Sequence, residues 1–155
     1  MILHLNKKNK PTIVDISSKK ITNRIAIAQG IVEFSESTFK IIESSKTKKG
    51  EIKSIAIIAG ILGAKKTSDI IPLCHNIIIE NIDIDIQAIK KKYSIKVVST
   101  VKSRGKTGVE MEALSAVSFA CLTIYDMCKS IDKKIVIKDI HLVKKSGGRS
   151  GFSKL

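Results

Sequence analysis

The chain has 155 residues, of which 43% are hydrophobic and 27% charged, and its formal net charge is +14 at pH 7. This size and balance suit one globular domain with a real core and exclude a disordered or fibrous chain. The charge indicates an anionic partner such as nucleic acid, a membrane surface or a polyphosphate substrate, although lysine enrichment by compositional drift is an alternative.

Several classes of protein are disfavoured by what the sequence lacks. Aromatic residues make up 4% and Trp is missing, so there is no stacking platform for single-stranded nucleic acid. The first apolar run is too short for a signal peptide, and no apolar segment is expected to span a bilayer. Cys74, Cys121 and Cys128 form no CxxC pair, which indicates free thiols in a reducing, cytoplasmic compartment.

Apolar periodicity and turn residues divide the chain into elements. The predicted elements of the first half are a polar leader (1–18, with 1–13 flexible), a strand (23–34), a short helix (35–44), a basic loop (45–50) and a second helix (51–65). The residues expected on the buried face of the second helix are Ile52, Ile55, Ala59 and Leu62.

The second half reads as a strand hairpin, a long helix and a last strand. Its predicted elements are a Pro-centred turn (66–76), two strands (77–88 and 92–103), a helix (108–131), a strand (135–145) and a Gly/Ser-rich C-terminal loop (146–155). The order β-α-α-β-β-α-β predicts a single α+β domain over 1–155, with a ferredoxin-like antiparallel sheet and helices packed on one face.

The long helix has an apolar stripe and a capping pattern. Thr107, followed by Glu110 three residues later, is typical of a capping box. The stripe consists of Leu114, Val117, Cys121, Tyr125 and Cys128. Small residues would let another element approach closely: Ala113, Ser115, Ala116 and Ala120.

Charged residues lie at both ends of this helix. Asp126 and Lys129 are neighbours at i and i+3, and they could be a plain surface ion pair. Glu112 and Asp126 would lie about 21 Å apart along the axis, at ~1.5 Å per residue. A small molecule cannot bridge that distance on one helix, so a shared site would need other segments or a second copy of the chain.

Three further features are each ambiguous on their own. Lys49 precedes a helix, where a phosphate could bind, but it could also be a solvated loop lysine. The basic segment SGGRSG (146–151) could cradle an anion or be a frayed tail. Cys74 and His75 are too few to make a structural zinc site, and no metal site is predicted.

Four motifs taken together resemble one family: DIIPLCH (69–75), KTGVEMEALSAVS (106–118), LTIYDMCK (122–129) and KSGG (145–148). They are similar to the cyclic pyranopterin monophosphate synthases of molybdenum cofactor biosynthesis, and the likeness runs from about residue 14 to 151. The resemblance implies a lyase that converts (8S)-3′,8-cyclo-7,8-dihydroguanosine 5′-triphosphate to cyclic pyranopterin monophosphate and releases diphosphate, with no cofactor.

The resemblance also implies residue roles. The catalytic acid/base is expected to be Asp126, with Lys129 beside it, and the other catalytic or phosphate-directed lysines are Lys49 and Lys145. Burial is expected to lower the pKa of Lys129. The substrate-binding residues are expected to be Leu73, Cys74, His75, Glu110, Met111 and Glu112.

The family further implies a hexamer built as a trimer of dimers, with the site at a subunit interface and no nucleic acid or membrane partner. The chain departs from the family pattern at Ser68, Asn76 and Arg149, where Trp, Pro and Lys are common. The alternatives are a small basic RNA-binding protein with a ferredoxin-like fold, or a non-catalytic relative that forms oligomers.

Overall fold

The computed structural model describes residues 4–6, 8–44, 46–148 and 151–153, with the backbone alone for 46–50. Its elements are β1 (Thr22–Glu33), α1 (Glu36–Ser44), α2 (Lys46–Lys65), α3 (Thr67–Ile70), β2 (Ile79–Ile89), a 3-10 turn (Lys90–Lys92), β3 (Ser94–Gly105), α4 (Glu110–Cys128), β4 (Val136–Ser146) and β5 (Phe152–Ser153).

The strands form one sheet in the order β2-β3-β1-β4-β5, and every neighbouring pair is antiparallel. α4 packs on β1, β3 and β4, and α2 packs beside it on β2. The predicted α+β, ferredoxin-like sheet is therefore confirmed. The predictions of a single domain over 1–155, flexible residues 1–13 and a C-terminal loop stay predictions.

Strand pairing gives the domain two ends, which we name by the limits of β1. At the Thr22 end, Thr22 pairs with Gly105, the last residue of β3; at the Glu33 end, Glu33 pairs with Val136, the first residue of β4. α4 connects β3 to β4, so it begins at the Thr22 end and finishes at the Glu33 end. α2 runs the opposite way, since it follows β1 and leads back to the start of β2.

The core lies between α4 and the sheet. The predicted stripe of α4 is confirmed, because Val117, Cys121 and Cys128 are buried and Leu114 and Tyr125 pack against the core. Desolvation raises the pKa of the Cys121 thiol to about 12, so this thiol is an inert core group.

Small residues set the distance between α2 and α4. A Cβ added at Gly60 would lie 2.8 Å from the carbonyl oxygen of Ala116 and 3.4 Å from the Cβ of Ala120. Ala113, Ala116 and Ala120 are fully buried, whereas Ser115 is only partly buried. The element that approaches this small-residue face is therefore α2 of the same chain.

Two predictions for α2 are wrong. The backbone of 46–50 is helical and not a loop, because α2 begins at Lys46. Ile55 and Leu62 were expected in the core but are 45% and 56% exposed, while Ala56 and Gly60 are buried. A helix contact this close admits only small side chains, so Ala56 and Gly60 occupy it, while Ile55 and Leu62 remain exposed.

The start of α4 also differs from the prediction. The helix begins at Glu110, and its N-cap residue is Val109, which makes no side-chain capping hydrogen bond. Thr107 is thus not the N-cap, because it lies two residues before the N-cap position.

The expectation that no segment could span a bilayer needs correction. Among the described residues, α4 alone is long and apolar enough by length and composition, with 19 residues and a mean hydropathy of 1.3. Half of it is buried, and its apolar stripe faces the sheet. This placement is typical of a core helix, which passes the same test.

Candidate functional site

A cleft of about 220 Å³ opens at the Thr22 end, where α4 begins. It contains all six residues predicted to bind substrate. The lining residues are His4, Leu73, Cys74, His75, Ile77, Thr107, Gly108, Glu110, Met111 and Glu112. The fold therefore brings together His4 and two segments, 73–77 and 107–112, that are far apart in the sequence.

One wall of the cleft is the loop between α3 and β2. Leu73, Cys74 and His75 follow the turn at Pro72, and the Cys74 N–H donates to the carbonyl of Ile71 at 3.1 Å. Burial raises the pKa of the Cys74 thiol, and the nearby Glu112 carboxylate adds to that effect. The Cys74 side chain is therefore a neutral thiol at pH 7 and not a thiolate nucleophile.

The first turn of α4 forms the other wall and carries a buried acid. Glu112 is 3% exposed, and its Oε2 has no hydrogen-bond partner among the described residues. Burial raises the pKa of Glu112, the charge of Glu110 raises it further, and a hydrogen bond from its own backbone N–H opposes them. Such an oxygen is an acceptor that a bound ligand could satisfy.

Glu110 links the cleft to β4. The Lys145 ammonium lies 3.2 Å from Oε1 of Glu110, and both side chains are about two-thirds buried. The Glu110 carboxylate also lies close over Gly108, so a side chain at that position would require the carboxylate to move. The predicted catalytic Lys145 is thereby held beside the predicted substrate-binding residues.

The remaining predicted catalytic residues lie at the Glu33 end. Asp126 and Lys129 form a 2.6 Å ion pair at the end of α4, with side chains 70% and 60% exposed. Lys49 lies near the start of α2, at the same end of the domain, but its side chain is outside the described residues. Asp126 is about 24 Å from Glu110 along α4, at ~1.5 Å per residue.

The expected lowering of the Lys129 pKa is wrong for the isolated chain. Its pKa is raised, first by the hydrogen bond to Asp126 and then by the charge of that carboxylate. The Lys129 ammonium is exposed and paired, so the desolvation needed to lower its pKa is small here.

A family model described as the MoaC family matches residues 13–148. The chain belongs to the MoaC family. Three curated relatives bear the name cyclic pyranopterin monophosphate synthase. They are 52% identical (Campylobacter jejuni, strain 81116), 51% identical (Lysinibacillus sphaericus) and 53% identical (Helicobacter hepaticus), over 96–97% of this chain and 94% of each relative.

Sequence reasoning missed four lining residues of this MoaC-family cleft: His4, Ile77, Thr107 and Gly108. Thr107 and Gly108 lie inside the KTGVEME motif, which was a usable signal. No sequence signal marked His4, because its position in the cleft depends on how the N-terminal segment folds back.

No group of three or more His, Cys, Asp or Glu side chains is arranged to hold a metal ion among the described residues. The polar side chains of the cleft carry a thiol, two imidazoles, a hydroxyl and two carboxylates, with one ammonium alongside. This set suits hydrogen bonding to an organic ligand that carries N–H donors and a negative charge.

Proposed function

We propose that the chain is a cyclic pyranopterin monophosphate synthase, a lyase of molybdenum cofactor biosynthesis. Its substrate would be (8S)-3′,8-cyclo-7,8-dihydroguanosine 5′-triphosphate, and its products cyclic pyranopterin monophosphate and diphosphate. The observation that carries the proposal is the cleft, which unites all six predicted substrate-binding residues and Lys145. Relatives about 50% identical over nearly the whole chain bear this enzyme's name.

The cleft at the Thr22 end suits the guanine-derived ring. That ring presents ring N–H and amino donors on one edge. Glu112 offers a buried, unpartnered carboxylate oxygen that could accept from them. The same donors would relieve the cost of burying that oxygen without a hydrogen bond.

Lysines would receive the triphosphate. Lys145 lies beside the ring-binding cleft, and its Glu110 partner could exchange for a phosphate oxygen. Lys49 would add positive charge from the other end of the domain. The substrate accounts for the anionic partner indicated by the charge of +14, so the proposal includes no nucleic acid, membrane, metal or cofactor.

Asp126 and Lys129 would act as the acid/base pair. Within one chain they lie far from the cleft, so a second copy must bring its Glu33 end to the Thr22 end of the first. In that dry, shared site the Lys129 ammonium would lose solvent, and its pKa would fall toward a value suited to proton transfer.

The exposed face of α4 supports such pairing. Lys129 follows Met111 by 18 positions, which is about five whole turns, so the two share a face. Leu122 lies between them on that face and is 54% exposed. Two α4 helices packed antiparallel through this face would place the Lys129 of one copy beside the Met111 of the other.

We therefore propose a homo-oligomer with shared sites, a hexamer built as a trimer of dimers, that works in the cytoplasm. The α4 pairing supplies the twofold contact. The exposed apolar residues of α2, Ile55, Ile58 and Leu62, offer a further surface that assembly could cover.

Incubation with the enzymatically generated cyclic GTP derivative tests the activity. Diphosphate and an oxidisable pterin are expected from the wild type, and Asp126→Asn and Lys129→Ala are expected to lose most turnover while remaining folded oligomers. Asp83→Asn, at an exposed position in the middle of β2, is a matched control for Asp126→Asn. Near-normal turnover by Asp126→Asn would refute the acid/base role of Asp126. Salt-sensitive RNA binding by the wild type without any turnover would refute the proposed synthase activity.

Mixing two inactive variants tests the shared site. Lys145→Ala removes a predicted catalytic residue at the Thr22 end and Asp126→Asn removes one at the Glu33 end, so a mixed dimer has one doubly damaged site and one intact site. After subunit exchange, a 1:1 mixture is expected to recover about a quarter of wild-type turnover. No recovery despite demonstrated exchange would contradict a shared site.

A further inference from the structure

The N-terminal segment folds back onto the cleft. Leu5 and Pro11 form an antiparallel bridge, and the Thr12 N–H donates to the His4 carbonyl at 3.0 Å. The Asn6 side chain accepts two backbone N–H groups within the same turn. These bonds fix the position of His4, which lines the cleft. We name residues 4–6 and 8–17 the strap.

Two hydrogen bonds anchor the strap to opposite walls. The His75 Nε2 lies 2.7 Å from the carbonyl oxygen of Val14, and the Lys106 ammonium donates to the Ser17 carbonyl at 2.7 Å. The Asp15 carboxylate accepts the Ser17 N–H and shapes the turn between them. One anchor lies in the α3–β2 loop and the other just before α4, so the strap joins the two segments that form the cleft.

The first anchor decides the chemistry of His75. A carbonyl oxygen can only accept, so Nε2 must carry the hydrogen of this bond. In the neutral ring Nδ1 then has a lone pair and can only accept. Nδ1 has no hydrogen bond to any described residue, and His75 lines the cleft. The Val14 carbonyl therefore selects the tautomer of a cleft residue.

We propose that the strap is a working part of the site, in which Val14 is a positioning residue for His75 and His4 is a specificity residue. The inference rests on the proposed function for its ligand, a guanine-derived ring rich in N–H donors. Nδ1 of His75 and the carboxylate of Glu112 offer two acceptors to such a ring, and His4 adds a second imidazole to the cleft lining.

Histidine tautomers test the positioning role without any turnover assay. Two-bond ¹H–¹⁵N spectra of ¹⁵N-histidine protein at about pH 8.5, where an unperturbed imidazole is neutral, are assigned with His75→Gln. The full chain is expected to show His75 with hydrogen on Nε2. A chain lacking residues 2–17 still contains every strand and helix in sequence, and its far-UV circular dichroism is first required to match the full chain. This chain is expected to show a tautomer mixture. Hydrogen on Nδ1 in the full chain, or an unchanged tautomer without the strap, would overturn the positioning role.

Kinetics test the role of His4. His4→Ala is expected to raise KM about tenfold, as loss of one good polar contact does, with kcat changed less than about twofold. Lys20→Ala, at an exposed position between the strap and β1, is the control and is expected to keep KM. An unchanged KM in His4→Ala would overturn the specificity role while leaving the proposed enzyme intact. A lack of all turnover would overturn the proposed enzyme, whereas the tautomer spectra would still decide the role of Val14.

Discussion

Glu112 gives the sharpest prediction, because burying its carboxylate should lower the free energy of unfolding while providing an acceptor for the substrate. The carboxylate is 3% exposed, one oxygen has no partner among the described residues, and burial raises its pKa. Leaving a buried polar group unsatisfied costs about 1–3 kcal/mol, and more when the group is charged. Glu112→Gln keeps the shape and removes the charge, so the variant is expected to gain about 1–2 kcal/mol of unfolding free energy at about pH 8.

The gain must depend on pH in a defined direction. A folded-state pKa above the ordinary value of 4.5 means that the folded protein holds this proton more tightly than the unfolded chain. The contribution of Glu112 protonation to wild-type stability is therefore complete below about pH 4.5. That contribution is lost as the pH rises through the raised pKa. The difference between Glu112→Gln and the wild type should vanish near pH 4 and grow toward pH 8.

Urea unfolding at fixed protein concentration, followed by circular dichroism at several pH values, measures this difference. Glu80→Gln is the matched control, because Glu80 is exposed on β2, and it is expected to change stability little at any pH. The more stable variant should bind substrate less well. The KM of Glu112→Gln is expected to rise about tenfold or more, because a charge-assisted hydrogen bond to the substrate is lost. A variant that is less stable at pH 8, or a pH profile that matches the control, would refute the reasoning.

Two further predictions concern the packing that holds the site. Gly60→Ala should lower the unfolding free energy by about 1–2 kcal/mol, because overpacking against the Ala116 carbonyl outweighs a helix-propensity gain of about 1 kcal/mol; thermal unfolding beside the exposed control Ser54→Ala checks this, and a raised Tm would contradict it. Asp132→Asn should lower Tm at pH 7, since the carboxylate accepts the backbone N–H groups of Ser35 and Lys134. Those bonds lower the pKa of Asp132 below 3.8, so the stability it adds exists above that pH and is lost below it. Calorimetry at pH 7 and at a pH below 3.8 should show that the Tm difference between the wild type and Asp132→Asn shrinks in acid. A Tm difference that is the same at both pH values would point to another cause.

Some local features were predictable because they depend on neighbouring residues alone. Alternating isoleucines specify the strands β1 and β2, and the apolar stripe of α4 specifies which face meets the sheet. α2 was predicted less well, because its buried face is chosen by how closely it meets α4. There the small residues Ala56 and Gly60 are buried and the large Ile55 and Leu62 are left outside.

By itself the sequence determined the fold class and the family motifs. Through the family resemblance it also predicted six substrate-binding residues, which the structure places in one cleft and whose role stays a prediction. Tertiary structure decided how those residues are distributed in space. The packing places the start of α4 beside the α3–β2 loop, and the strap brings His4 to that cleft and the Val14 carbonyl to His75. Spacing along a helix can be read from residue numbers, but a contact between distant segments depends on the packing free energy of the whole chain, which no local pattern encodes.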